Sequence, residues 1–95
     1  MITVEDIRKS MRISHTSLDS DIQRNIDACL LDMKRVGINI VENEQDALIG
    51  KAMEIYCKAD FDYQNKGEQF RKSYESLRDA LSLCGDYRKE PDTDV

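Results

Sequence analysis

Apolar residues along this chain recur at helical spacing, with steps of three and four, and four segments carry the pattern. Between Lys66 and Tyr87, Phe70, Tyr74, Leu77, Leu81 and Cys84 fall on one side of a helix, while Arg71, Lys72, Glu75, Arg78, Asp79 and Ser82 fall on the other. A helix so divided docks its apolar stripe on a neighbour. It is expected over about residues 68–83, with Gly85 ending it. Upstream, Leu18, Ile22, Ile26, Cys29, Met33 and Val36 make a second stripe, starting at Asp19 or Ser20 and closed by Gly37 as C-cap, with Lys34 and Arg35 opposing the helix dipole. Between these two, Leu48, Ala52, Ile55, Ala59 and Tyr63 form one row and Ile49, Met53, Tyr56 and Cys57 the next. Such a wide arc suits a central helix over about Glu44–Tyr63, capped by Asn43, with Gly50 kept for a close helix crossing. The first helix is short, about residues 4–12. Thr3 and Asp6 are spaced as a capping box, and Val4, Ile7 and Met11 share a face.

The connections refine the picture. Gln64–Gly67 is a tight link, so the third and fourth helices reverse on one another. Ile38–Asn43 reads as a connector with at most a brief extended piece, since no partner strand is evident. Asp86–Val95 is polar, holds the sole proline and has too little apolar content to fold alone. The expected architecture is all-α: a bundle of about four helices over residues 1–85, followed by a polar tail over 86–95.

Length and composition narrow the function. Ninety-five residues make one small domain with little stability to spare. One proline, four glycines and no tryptophan suit long helices better than a turn-rich β fold. Net charge is −5, and no segment of the chain is basic: residues 1–43 hold 7 acids and 6 bases, 44–85 hold 8 and 6, and 86–95 hold 4 and 2. Tight nucleic-acid binding is therefore not expected. Cys29, Cys57 and Cys84 are widely spaced, each within a helical apolar pattern, and read as reduced, buried thiols of an intracellular protein. The N-terminus lacks the features of a signal peptide, and no segment has the ~20 apolar residues of a membrane span.

Candidate chemistry is sparse. His15, the single histidine, lies beside Ser14, Thr16 and Ser17, a potential base near hydroxyl nucleophiles. The plainer reading is an exposed loop histidine, because near neighbours in sequence rarely face one another. Asp19 with Asp21, and Asp60 with Asp62, lack the frame of a calcium loop and read as solvated faces. No cysteine pair has zinc-ligand spacing, and no phosphate-binding glycine loop or nucleophile elbow is present. Tyr56, Tyr63, Phe70 and Tyr74 read as inter-helix packing. No catalytic residue, metal or cofactor is expected, and the chain reads as an interaction module. A small helical DNA-binding regulator is the alternative, disfavoured by the long connector before the third helix and by only Lys51 and Lys58 as its bases.

Two blocks carry a resemblance. The opening ITVEDIRKSMRI with LDSDIQRNIDACLLDM is the more generic, and KAMEIYCKADFDYQNKGEQFRKSYESLRDALSLCGDY the more specific, above all Tyr74, Glu75, Leu77, Arg78 and the ending LSLCGDY. Together they resemble the small head–tail connector (adaptor, DNA-packaging) proteins of tailed bacteriophages and prophages of Gram-positive bacteria. The resemblance implies a helical bundle with an extended C-terminal arm, assembled as a ring of about a dozen copies. It further implies a place at the head–tail junction of the virion, between the portal protein and a head-completion or tail protein, with DNA passing through the ring, after assembly in the bacterial cytoplasm. The family offers no catalytic residues to carry over. The arm would make partner contacts, with Gly85, Asp86, Tyr87 and Arg88 as the candidates.

Overall fold

The structure, a computed structural model, describes residues 2–41, 43 and 46–88. Four helices build it: α1 (Val4–Ser10), α2 (Asp19–Arg35), α3 (Ala47–Asp60) and α4 (Gly67–Leu83). The all-α expectation holds, and the differences lie at the ends of the elements.

The capping box at α1 forms. Asp6 N–H donates to Thr3 Oγ1 at 3.2 Å and Thr3 N–H donates to Asp6 Oδ2 at 2.9 Å. The helix ends earlier than the apolar pattern suggests, because Arg12 sits in left-handed backbone at φ 58°. Arg8 Nε then donates to Asp19 Oδ1 at 2.8 Å, tying α1 to the first turn of α2.

Gly37 closes α2 as expected. Its φ of +95° is left-handed, its N–H donates to Lys34 O at 3.0 Å, and Ile38 N–H donates to Met33 O at 3.0 Å. This is a Schellman motif, with Ile38 and Met33 both buried as its apolar clasp.

Asn43 does not cap α3; Asp46 does, accepting from Leu48 N–H at 2.8 Å. Asn43 instead donates its Nδ2 to Asn39 O at 2.8 Å, and its N–H to Ile40 O, within a turn of the connector. Glu44, expected to open α3, lies outside the described residues, and Asp46, expected in its first turn, is the cap instead. The far end of α3 also falls short of Tyr63. Asp62, Gln64 and Asn65 all have positive φ, so Tyr63–Asn65 is a separate 3₁₀ turn. Gly67 is the residue that permits this link: a Cβ there would lie 2.7 Å from Asp62 Oδ1 and 3.0 Å from Ala59 O. Gly50 has no such role, since nothing lies within 4 Å of a Cβ built on it. The close crossing expected there is absent.

α3 is the central helix, packing most extensively on α4 and next on α2, with α1 against α2 and α3. The core is Ile7, Met11, Ile22, Ile26, Cys29, Met33, Ile38, Ile49, Ala52, Met53, Cys57, Tyr74 and Leu81. Of the α4 stripe only Tyr74 and Leu81 are fully buried; Leu77 packs half-buried on the core. Of the two rows on α3, one buries Ile49, Met53 and Cys57 fully, while the other buries Ala52 and leaves Leu48 45% exposed. α4 stops at Leu83, before Gly85, because Cys84 adopts extended backbone (φ −87°, ψ 124°). Gly85 opens a 3₁₀ turn through Tyr87.

Candidate functional site

Two places in the fold concentrate polar contacts, and a third concentrates exposed apolar surface. The first is a cleft of about 470 Å³ between α2 and α4, lined by Asp32, Arg35, Arg71, Tyr74, Glu75 and Arg78 among others. Asp32 is its hub. Its Oδ2 accepts from Tyr74 Oη at 2.6 Å and from Arg78 Nη1 at 3.1 Å, while its Oδ1 accepts from Arg35 Nη2 at 2.7 Å. Burial would raise the Asp32 carboxyl, but the three donors outweigh it and hold the pKa at about 2. Burial and the bond to Asp32 push the Tyr74 phenol well above its ordinary value. Cys29 donates to the same phenol at 3.8 Å, and burial raises its thiol to about 12, as it does for Cys57. Arg78 also holds Asp79 at 2.9 Å, and the Tyr56 ring meets Tyr74 edge-on at a centroid distance of 5.0 Å. A carboxylate neutralised by two guanidinium groups, a phenol without an accessible ionisation and a thiol that stays protonated form a clamp rather than an acid–base or nucleophilic pair. Sequence periodicity put Arg78 on the solvent side of α4; it is half-buried because Asp32 faces it.

The second place holds the residues taken from sequence as partner contacts. Gly85, Asp86, Tyr87 and Arg88 form a strap across the start of α3 and the α2–α3 connector. Tyr87 Oη donates to Asp46 Oδ2 at 2.8 Å, and Asn39 N–H donates to Tyr87 O at 2.7 Å. Arg88 forms an isolated antiparallel bridge with Ile38. The connector thus has an extended partner after all, drawn from the opposite end of the chain. The Tyr87 bond, with help from the Leu48 N–H, lowers the Asp46 carboxyl, and the same bond raises the Tyr87 phenol. Gly85, Asp86 and Arg88 are exposed and Tyr87 is half-buried. The rest of the tail, Lys89–Val95, lies outside the described residues.

The third place is an apolar groove of about 600 Å³ walled by Leu30, Leu31, Ile38, Ile40 and Val41, with Asp27 and Lys34 on its rim. Leu31 is 68% and Val41 82% exposed. The α2 stripe alone did not reveal it. The signal was Leu31, an apolar residue that falls outside the α2 stripe of Leu18, Ile22, Ile26, Cys29, Met33 and Val36.

The other sequence candidates are accounted for locally. Ser17 Oγ lies 2.6 Å from His15 Nδ1, so these two residues do meet, but on an open loop with both exposed. Asp19 pairs with Arg8, Asp60 accepts from Asn25 Nδ2 at 3.0 Å, and Asp62 accepts from Gly67 N–H at 2.8 Å. Among the described residues no group of three or more His, Cys, Asp or Glu is placed to hold a metal ion. Cys29 and Cys57 are buried, whereas Cys84 is half-buried. No described helix is long and apolar enough to cross a membrane.

A family model described as phage connector protein matches residues 4–88, nearly all of the chain. The chain belongs to the phage connector protein family. It is accordingly a head–tail connector by family, one of the structural proteins of a phage, and its matched span ends at Arg88, the last residue of the strap. No curated protein and no solved structure matches it. The connector's clamp and strap are therefore read as devices of shape: each fixes where one helix or one chain end leaves the bundle.

Proposed function

We propose that this connector is a head-completion subunit that forms a ring between the portal and the next protein of the head–tail junction, with DNA passing through the ring. Membership of the connector family over residues 4–88 carries the reading. The fold supports it: among the described residues Asp32, Tyr74, Arg78, Asp46 and Tyr87 are engaged in holding helices and chain ends together, which leaves the outer helix faces for neighbours. A closed ring needs two different faces on each subunit, and the outer sides of α2 and α4 are two such faces. The acidic balance, −5 overall, suits a lumen that repels DNA and lets it slide.

On this reading the strap at Gly85–Arg88 and the arm it leads into reach the portal or a neighbouring subunit. The protein works in the virion, after assembly in the bacterial cytoplasm. The test is to mix the purified chain with a portal protein from the same phage or prophage and to image the product by electron microscopy. A ring of this chain stacked on the portal is expected. Light scattering that shows one compact dimer at every concentration, together with no portal binding, overturns the proposal.

A further inference from the structure

We infer that the apolar groove on α2 receives the outer face of α4 from a second copy of this chain, in parallel and in a fixed register. The inference rests on the ring-forming reading above and names the contact between neighbours.

The groove is unusual for its exposure: Leu31 and Val41 stand 68% and 82% open to solvent in a chain with a small core. Only one other large apolar side chain is comparably bare among the described residues, Leu83 at 82%, and it does not line the groove. Leu83 ends an outward row on α4 that runs Lys72, Ser76, Asp79, Leu83, all exposed. The facing row on α2 runs Asp27, Leu31, Lys34, and then leaves the helix at Ile38 to form the groove's far wall. Both rows have the same spacing, so charges seven residues apart sit about 10.5 Å apart on each helix. Laid parallel, Lys72 meets Asp27, the Ser76 turn lies over Leu31, Asp79 meets Lys34, and Leu83, one turn further on, arrives at Ile40 and Val41, Ile38 beneath them being already buried. Laid antiparallel, Lys72 meets Lys34 and Asp79 meets Asp27, so both ends repel. Lys34 and Lys72 make no ion pair within the chain among the described residues, and Asp27 accepts only from Gln23. The outer faces of α2 and α4 belong to different helices, so the contact is head-to-tail and repeats from copy to copy, giving a ring where the rotation between copies closes.

The experiment follows the full-length chain by sedimentation across a concentration series, alone and then with portal. The wild-type chain is expected to associate. Leu31→Asp and Leu83→Asp, both at exposed sites, are expected to keep wild-type helicity and melting while raising the half-association concentration at least tenfold. Each variant retains one intact face. An equimolar mixture of the two is therefore expected to form a dimer and stop there. Asp27→Lys and Lys72→Glu should each weaken association, and the double variant should restore it. Wild-type association by both Leu variants, no dimer in the mixture, or a wild-type chain that stays monomeric at every concentration overturns the inference. Portal binding is read separately. A monomer that still binds portal removes this contact and leaves the connector reading standing. Self-association through the groove with no portal binding does the reverse.

Discussion

Tyr74 on α4 donates to Asp32 on α2 across 2.6 Å, and this bond crosses the cleft between two helices that otherwise meet mainly through α3. Asp32 is also held by Arg35 and Arg78. Tyr74→Phe removes one donor of three and leaves only the weak Cys29 S–H donor without its acceptor. It is expected to cost about 1 kcal/mol, the ordinary net worth of a hydrogen bond. Asp32→Ala removes the shared acceptor, leaving the buried Tyr74 hydroxyl without an acceptor and Arg78 with Asp79 alone, and should cost about 2–3 kcal/mol. Urea denaturation of both variants checks the order. Equal losses would mean that the carboxylate is solvated and the clamp is nominal.

The same carboxylate sets an acid limit. Asp32 titrates at about 2 in the folded chain against an ordinary 3.8, so folding favours its ionised form. That stability is present above the unfolded value and is lost as pH falls from about 4 toward 2. Asp6 and Asp46 are lowered as well and contribute in the same direction. Thermal melts between pH 5 and 2 should show Tm falling steeply below pH 4 in the wild-type chain, and less steeply in Asp32→Asn. Parallel slopes would sink the assignment.

Gly67 and Gly50 should respond oppositely to alanine. At Gly67 a methyl meets Asp62 Oδ1 at 2.7 Å and the Ala59 carbonyl at 3.0 Å, so Gly67→Ala disturbs the link between α3 and α4 and is expected to cost about 1–3 kcal/mol. At Gly50 nothing lies within 4 Å. Gly50→Ala gains helix propensity and should stabilise by about 0.5–1 kcal/mol. Chemical denaturation of the two variants gives the signs directly.

These two glycines also show what was legible in the sequence. The apolar rows identified all four helices and most of the core, because a 3.6-residue period is set by the helix itself. Chain reversals are set by backbone that periodicity does not encode. Arg12, Asp62, Gln64 and Asn65 take left-handed φ without being glycine, so α1 and α3 end earlier than their apolar patterns do. Gly37 was readable because its role is local. Asp32, Tyr74 and Arg78 were not readable as a unit, since Asp32 lies more than 40 residues from the other two, on a helix whose azimuth only packing fixes. The strap was missed for the opposite reason: Asp86–Val95 is polar as a whole, and one aromatic within it, Tyr87, ties its first residues down.

Position within the α4 stripe should grade the effect of truncation. Leu81 is 3% exposed and Leu77 only half-buried, although both lie on one row. Leu81→Ala is expected to cost about 2–5 kcal/mol, and Leu77→Ala about half as much. Leu77→Asp puts a charge against the core and should lower Tm strongly. A Leu77→Asp variant that melts like the wild-type chain would identify Leu77 as contact surface for a partner.

The strap distinguishes two truncations that differ by three residues. Ending the chain after Gly85 removes the Tyr87 carbonyl that binds Asn39 N–H and the hydroxyl that binds Asp46. The connector then has no extended partner, and the groove wall at Ile38 loses its bridge. Amide exchange at Asn39 should rise toward the unprotected rate, while amides within α2 and α4 keep their protection. Ending the chain after Arg88 keeps every one of these contacts and should leave Asn39 protected. Both truncations remove Lys89–Val95, so a portal-binding loss common to the two belongs to the arm, whereas a loss confined to the shorter chain belongs to the strap. Slow exchange at Asn39 in the shorter chain would mean that the connector holds its shape unaided and that Tyr87 is free to serve a partner.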